Sequence, residues 1–330
     1  MPKAAFLLSD YPKTIIYPAD LEAALRKQAD FSPGFIPGHE WPRHREALAE
    51  VEFVFSGWGM PVMDEAFLAA LPRLKAVFYG AGSVRGFYPA AARERGVILC
   101  SAWRMNAIPV AEFTFAGIIM SLKDVWQTQQ AMSSPSQWKL PPHAVGAYRT
   151  RVGLVSLGAI GQTVVKWLRR TDLEICVHDP FLDDERAASL GVTPLSLEEL
   201  FATSHVVSLH TPLLPETQGM ITAGLLGSMR EGATLINTAR GGLIDHTALI
   251  ETLRARPDLT ALLDVTEPEP PAPGSDLWTL PNVFITPHLA GSIGSECARM
   301  GWAMAEEFAR YQSGQPLQHE VTEAIFKTMA

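Results

Sequence analysis

The chain has 330 residues, more than one hydrophobic core usually serves, so two domains are expected. Hydrophobic residues at 47% and charged ones at 19% describe an ordinary globular protein. A net charge of −8 offers no basic footprint for nucleic acid and no attraction to anionic membranes, while still allowing an anionic substrate held by a local Arg.

The opening MPKAAFLLSD reads as a first strand, 4–8, rather than a signal peptide, because no charged segment precedes a long apolar core. Helical character follows over 20–29, and the Pro- and Gly-rich stretch 31–41 reads as loop. Strands are expected at 53–55, 74–79 and 97–100, with an Asp-capped helix at 64–71 and a short helix at 89–95. This alternation is a small parallel α/β unit. Residues 106–126 read as one long, almost wholly apolar helix, buried against a domain or a partner subunit. The segment carries Glu112 and is too short and interrupted to span a bilayer. Residues 133–146 hold three prolines and read as a loop or arm. Cys100, Cys176 and Cys297 have neither metal nor redox spacing, so no metal is expected and a cytoplasmic location is the default.

The first chemical signal is RVGLVSLGAIG at 151–161. A strand over 152–155, a turn and a helix over 162–170 make the opening of a βαβ unit, where a pyrophosphate can rest on unpaired N–H groups at the helix start. The dinucleotide fingerprint is G-x-G-x-x-G, and Ser156 stands at its first position, which puts the tight turn in question. Gly158 still admits phosphate and Gly161 still lets helix and strand approach, with Ala159 and Ile160 supplying N–H groups. Ser156 is expected to sit where its small side chain costs little. A second strand, 174–177, leads to Asp179, 18 residues beyond Gly161, near the offset of a ribose-binding carboxylate. Such an Asp accepts from both ribose hydroxyls and repels a 2′-phosphate, which favours NAD over NADP.

Later strands are expected near 206–209, 234–237, 260–264 and 283–286, with a final helix over 294–311. The first α/β unit and the last helix have no place in a six-strand Rossmann count. The expected architecture is therefore two Rossmann-like, doubly wound parallel-sheet domains with the ligand in the cleft between them. Their expected boundaries are 1–101 plus 300–330 for the substrate domain and 102–299 for the NAD domain.

Three successive strand ends then offer an Arg, carboxylates and a His: Arg240 in NTARGGLID, Glu267 and Glu269 in DVTEPEP, and His288 in TPHLAG. The planar Arg fork suits a carboxylate, and a carboxylate beside a His favours the imidazolium. Independent packing constraints would not gather an acid/base set at one edge. His210 also ends a strand and is expected to line the cofactor crevice, while Trp58 and Trp103 lie in loops that could line a pocket.

Taken together, these motifs resemble the D-isomer-specific 2-hydroxyacid dehydrogenases, in segments 106–112, 152–161, 206–212, 237–245, 263–270 and 286–291. The resemblance implies that Arg240 holds the substrate carboxylate and carbonyl oxygen, that His288 is the proton donor in reduction, and that Glu269 pairs with it. Asp264 would hold the nicotinamide carboxamide. Pro180, Thr211, Pro212, Thr217, Thr238, Ala239 and Gly291 would join the glycine turn, Asp179, His210 and His288 around NAD(H). Substrate contacts would come from Trp58, from Gly80, Ala81 and Gly82 through backbone N–H groups, and from Arg240 and His288. The 106–126 helix would make a homodimer. His205 and the run Ser83-Val84-Arg85 depart from the family pattern, which often has Asp at both places. The implied activity is NAD(H)-dependent interconversion of a small 2-oxo acid and its D-2-hydroxy acid, with reduction favoured at lower pH and oxidation at higher pH. The rivals are an NADP-preferring glyoxylate/hydroxypyruvate-type reductase and a non-catalytic NAD(H)-sensing protein. Neither nucleic acid nor membrane is expected as a partner.

Overall fold

The computed structural model describes residues 1–329, which divide into two compact units. One comprises Met1–Asn106 and the chain from Ser292 onward; the other is Ala107–Gly291. The first unit thus runs on to Asn106, where 101 was expected, and resumes at Ser292, where 300 was expected.

The first unit holds a parallel sheet of β1 (Lys3–Leu8), β2 (Asp30–Pro37), β3 (Phe53–Ser56), β4 (Ala76–Tyr79) and β5 (Ile98–Ser101), in the order β2-β1-β3-β4-β5. Period-two alternation sends Val54, Val77 and Leu99 to one core and Phe55, Phe78 and Cys100 to the other, so both faces are covered. The order is that of a doubly wound sheet with a switch point between β1 and β3. Residues 31–41, expected as loop, instead form strand β2 and a 3₁₀ turn, Gly38–Arg43. Pro33 and Gly34 are tolerated there because β2 is an edge strand whose register shifts against β1.

The second unit carries β6 (Tyr148–Val155), β7 (Asp172–His178), β8 (Thr193–Pro194), β9 (Val206–Leu209), β10 (Thr234–Asn237), β11 (Thr260–Leu263) and β12 (Val283–Ile285). All pair in parallel, in the order β12-β11-β10-β9-β6-β7-β8. From β6 the chain winds outward through β7 to β8, then returns to β9 on the other side and continues to β12. This is the Rossmann order with one further strand, and its switch point lies between β6 and β9. Val206, Ile236 and Leu262 pack on one face, Val207, Leu235 and Ala261 on the other.

The single helix expected over 106–126 is two. Trp103–Ser121 and Val125–Ala131 meet at a 63° bend. Asp124, with φ 53, breaks the run, because a left-handed residue turns the chain out of the right-handed helix. No single helix is long and apolar enough to cross a membrane.

Candidate active site

In open parallel sheets, ligands bind outside the carboxyl ends of the strands at the switch point. Every residue singled out from Gly158 to Gly291 lies in the second unit, in the first helical turn after β6 or in loops that follow β6, β7, β9, β10, β11 and β12.

The turn after β6 shows what the missing glycine does. Ser156 adopts φ 80, the left-handed region that glycine enters freely and a side chain enters at a cost. The expectation that Ser156 sits at little cost is therefore corrected. The turn still forms, with Ser156 N–H donating to His178 O at 2.8 Å. Gly158 caps the helix Ala159–Leu168, which starts three residues earlier than expected. A Cβ at Gly158 would meet nothing within 4 Å, whereas one at Gly161 would lie 2.3 Å from Ser156 O. The first glycine leaves open space above the helix N-terminus, and the second is required by close packing.

Asp179 is held in place rather than left as a free turn residue. Its Oδ2 accepts Leu157 N–H at 2.6 Å, and its Oδ1 accepts Phe181 N–H at 2.8 Å. Ser156 Oγ also donates to Oδ2 at 3.4 Å, so three of about four acceptor sites are taken and capacity remains for about one ribose hydroxyl. His210 is 6% exposed, and neither ring nitrogen has a partner among the described residues. Burial drives its pKa down to about 3, so the ring is neutral and ready to accept or donate one hydrogen bond. An open helix N-terminus, a positioned carboxylate and an orphaned buried imidazole fit a bound dinucleotide.

Two expected cofactor contacts are otherwise engaged. Thr217 Oγ1 accepts Leu214 N–H at 2.8 Å and donates to Pro212 O at 2.7 Å, which shapes the loop after β9. Thr238 Oγ1 lies 3.2 Å from Thr114 Oγ1, buried on the helix Trp103–Ser121. Thr211 and Ala239 are buried beside their strand ends, while Pro180 is exposed and Gly291 half-buried.

Arg240 follows β10 in a loop organised by Asn237, whose side chain accepts Ala239 N–H at 3.0 Å and donates to Arg240 O at 2.9 Å. The Arg240 side chain makes one hydrogen bond among the described residues, from Nη1 to Ala239 O at 2.6 Å. Burial lowers its pKa and the Glu269 charge opposes the shift, yet a guanidinium stays charged. Most of its donor fork is thus uncommitted.

His288 Nδ1 lies 2.6 Å from Glu269 Oε1, both side chains being about half exposed. Glu267, the other candidate, makes no ion pair with His288, so the pairing falls on Glu269 as the resemblance implied. The loop that carries His288 is built on Asp264, which is 3% exposed. Asp264 Oδ1 accepts from Thr286 Oγ1 at 2.5 Å and from Leu289 N–H at 2.9 Å, and Oδ2 accepts Ala290 N–H at 2.9 Å. Three donors from the protein leave about one acceptor site for a carboxamide. Asp264 is first a loop anchor, a role sequence reading missed. Asn237 and Thr286 were missed as well, although both stand inside the strand-end motifs.

The first unit has its own strand-end loops. Trp58, 38% exposed, follows β3, and Gly80, Ala81 and Gly82 follow β4. Gly80 N–H donates to Ser56 O at 2.8 Å, which ties the start of this loop to β3, so the expectation that Gly80 offers that N–H to a substrate is corrected.

Residues 115–290 match the family model described as "D-isomer specific 2-hydroxyacid dehydrogenase, NAD binding domain", more than half of the chain. The chain belongs to this family. NAD is the cofactor of the matched domain. Among curated relatives, the D-3-phosphoglycerate dehydrogenase of Archaeoglobus fulgidus is 30% identical over 78% of this chain and 49% of its own length. That of Bacillus subtilis is 34% identical over 70% of this chain and 44% of its own. This dehydrogenase-family chain thus spans about half the length of the curated relatives it matches. The solved TT0316 protein of Thermus thermophilus is 27% identical with a TM-score of 0.76, covering 97% of this chain and 100% of that one. Rhodotorula graminis D-mandelate dehydrogenase, at 22% identity and a TM-score of 0.82 over 98% of each chain, shares the fold.

Proposed function

We propose that the chain is an NAD(H)-dependent oxidoreductase interconverting a small 2-oxo acid and its D-2-hydroxy acid. The observation that carries this reading is the Glu269–His288 pair at the same sheet edge as the largely uncommitted Arg240 guanidinium and the Gly158–Asp179 turn. A protein that only senses the dinucleotide has no need of a proton donor.

When bound, reduced nicotinamide supplies a hydride to the carbonyl carbon. Arg240 holds the substrate carboxylate and polarises its carbonyl with a fixed positive charge in a half-buried setting. With Nδ1 engaged by Glu269, Nε2 is the nitrogen of His288 left to give a proton to the forming alkoxide. In the oxidative direction neutral His288 takes that proton back. The Asp179 carboxylate disfavours a 2′-phosphate by charge repulsion, which supports NAD over NADP. We further propose a homodimer built on the second unit, where Met120, Trp138, Leu140 and Val145 are exposed apolar side chains suited to a second copy.

NADH oxidation with glyoxylate, hydroxypyruvate, phenylpyruvate and 3-phosphohydroxypyruvate tests the reading and ranks substrates. Turnover on at least one is expected. Tight NADH binding with no turnover on any 2-oxo acid would instead favour the sensor, and turnover with NADPH alone would favour the NADP-preferring reductase.

A further inference from the structure

In the first unit, the chain after the helix Cys297–Gln312 reaches the loop following β4 along two routes. Along the first, Glu307, 1% exposed, uses Oε2 to accept the N–H groups of Gln318 and His319 at 2.9 Å each. His319 O accepts Ser101 N–H at 3.0 Å. The fully buried Ser101 hydroxyl then lies 2.9 Å from Ala81 O and 2.8 Å from Gly82 O. Along the second, Arg85 donates from Nε to Met329 O at 2.7 Å, and from Nη2 to Phe326 O at 2.9 Å and Lys327 O at 3.0 Å. It thereby caps the helix Glu323–Thr328, whose Phe326 ring lies under Arg85 and Arg93 at 5.1 and 4.2 Å.

The first route ends on the carbonyls of Ala81 and Gly82, and the second at Arg85, two residues beyond Ser83. The single Ser101 hydroxyl proton is shared between the carbonyls of Ala81 and Gly82, and the N–H groups of half-buried Gly82 and exposed Ser83 have no protein acceptor among the described residues. Successive unpaired N–H groups in a loop offer donors to an oxyanion. Their direction is set by where the carbonyls are tied, because the peptide unit is rigid.

We propose that residues 318–329 act as a strap that positions the 80–83 loop for the substrate carboxylate, with Ser101 and Arg85 as the positioning residues. The proposal rests on the 2-oxo acid reductase reading. It also accounts for the run Ser83-Val84-Arg85: an Arg serves there because its fork can cap several carbonyls at a helix end, which an Asp cannot.

The test compares wild type with Ser101→Ala, Arg85→Ala and Arg85→Lys, using a 2-oxo acid that the wild type reduces and oxamate as a competing carboxylate. In Ser101→Ala and Arg85→Ala, KM for the 2-oxo acid and the oxamate inhibition constant should rise about tenfold, with kcat and KM for NADH nearly unchanged. Arg85→Lys, with a compact ammonium in place of the planar fork, should fall between. Unchanged KM and oxamate inhibition beside a lowered Tm would overturn the proposal, as would kcat and both KM values moving together. If Arg85→Ala does not fold, Ser101→Ala carries the comparison alone. A wild type that turns over no 2-oxo acid is a separate outcome, which overturns the reductase reading and the strap with it.

Discussion

Glu269 and His288 meet at 2.6 Å although they stand in loops after different strands, β11 and β12. Those strands are hydrogen-bonded neighbours with Leu263 opposite Ile285, so the loops leave the sheet side by side. Replacing His288 with Gln should lower kcat for reduction by roughly 10²–10⁴-fold, the range for losing a general acid. Glu269→Gln should cost less, because the ring stays in place while its charged partner is lost. A wild-type kcat in His288→Gln would remove His288 from the chemistry.

Asp264 should matter twice, for stability and for catalysis. Asp264→Ala leaves the N–H groups of Leu289 and Ala290 and the Thr286 hydroxyl without their acceptor, which should cost about 3 kcal/mol. The released loop should misplace His288, so kcat should fall at least about tenfold even in the folded fraction. Urea unfolding and steady-state kinetics on the same samples read both effects. A variant with wild-type stability would show that these bonds contribute little.

Ser156 occupies a glycine conformation, with φ 80. Ser156→Gly should therefore raise stability by about 1 kcal/mol, relief of strain exceeding the added entropy of the unfolded chain. Ser156→Ala, which keeps the Cβ, should bring no such gain. Equal midpoints for Ser156→Gly and Ser156→Ala in urea would show the turn to be unstrained.

His210 makes stability depend on pH. Its pKa falls from 6.5 to about 3 on burial, so between these values the unfolded chain binds a proton that the folded chain does not. The stability associated with neutral His210 is thus present above about pH 6.5 and is lost as pH falls toward about 3. His210→Gln should show a shallower loss of stability between about pH 7 and pH 5 than wild type. Parallel curves would mean that the ring is solvated.

Much of the second unit is legible in the chain itself. Strands β9 (VVSL) and β10 (TLIN) are short runs rich in Val, Leu and Ile, as strands buried on both faces of a parallel sheet tend to be. The motif residues follow directly, because a loop after such a strand has only one sheet edge at which to emerge. Edge strand β2 was hidden by Pro33 and Gly34, and the short helices Asp10–Ile16 and Glu323–Thr328 by their brevity, since a helix of two turns carries too little periodicity to read.

The turn from Ser156 to Gly161 marks the division. Local sequence by itself determined that a strand, a glycine turn and a helix occur there, because the backbone freedom of Gly158 and the apolar run before it are properties of the chain. Only the tertiary structure decided that Ser156 takes the left-handed conformation, that Asp179 reaches back to Leu157, and that Asp264 anchors the His288 loop across 25 residues. Hydrogen bonds between distant segments depend on strand order and register, which arise when the whole sheet closes its two cores and which no short window of sequence contains.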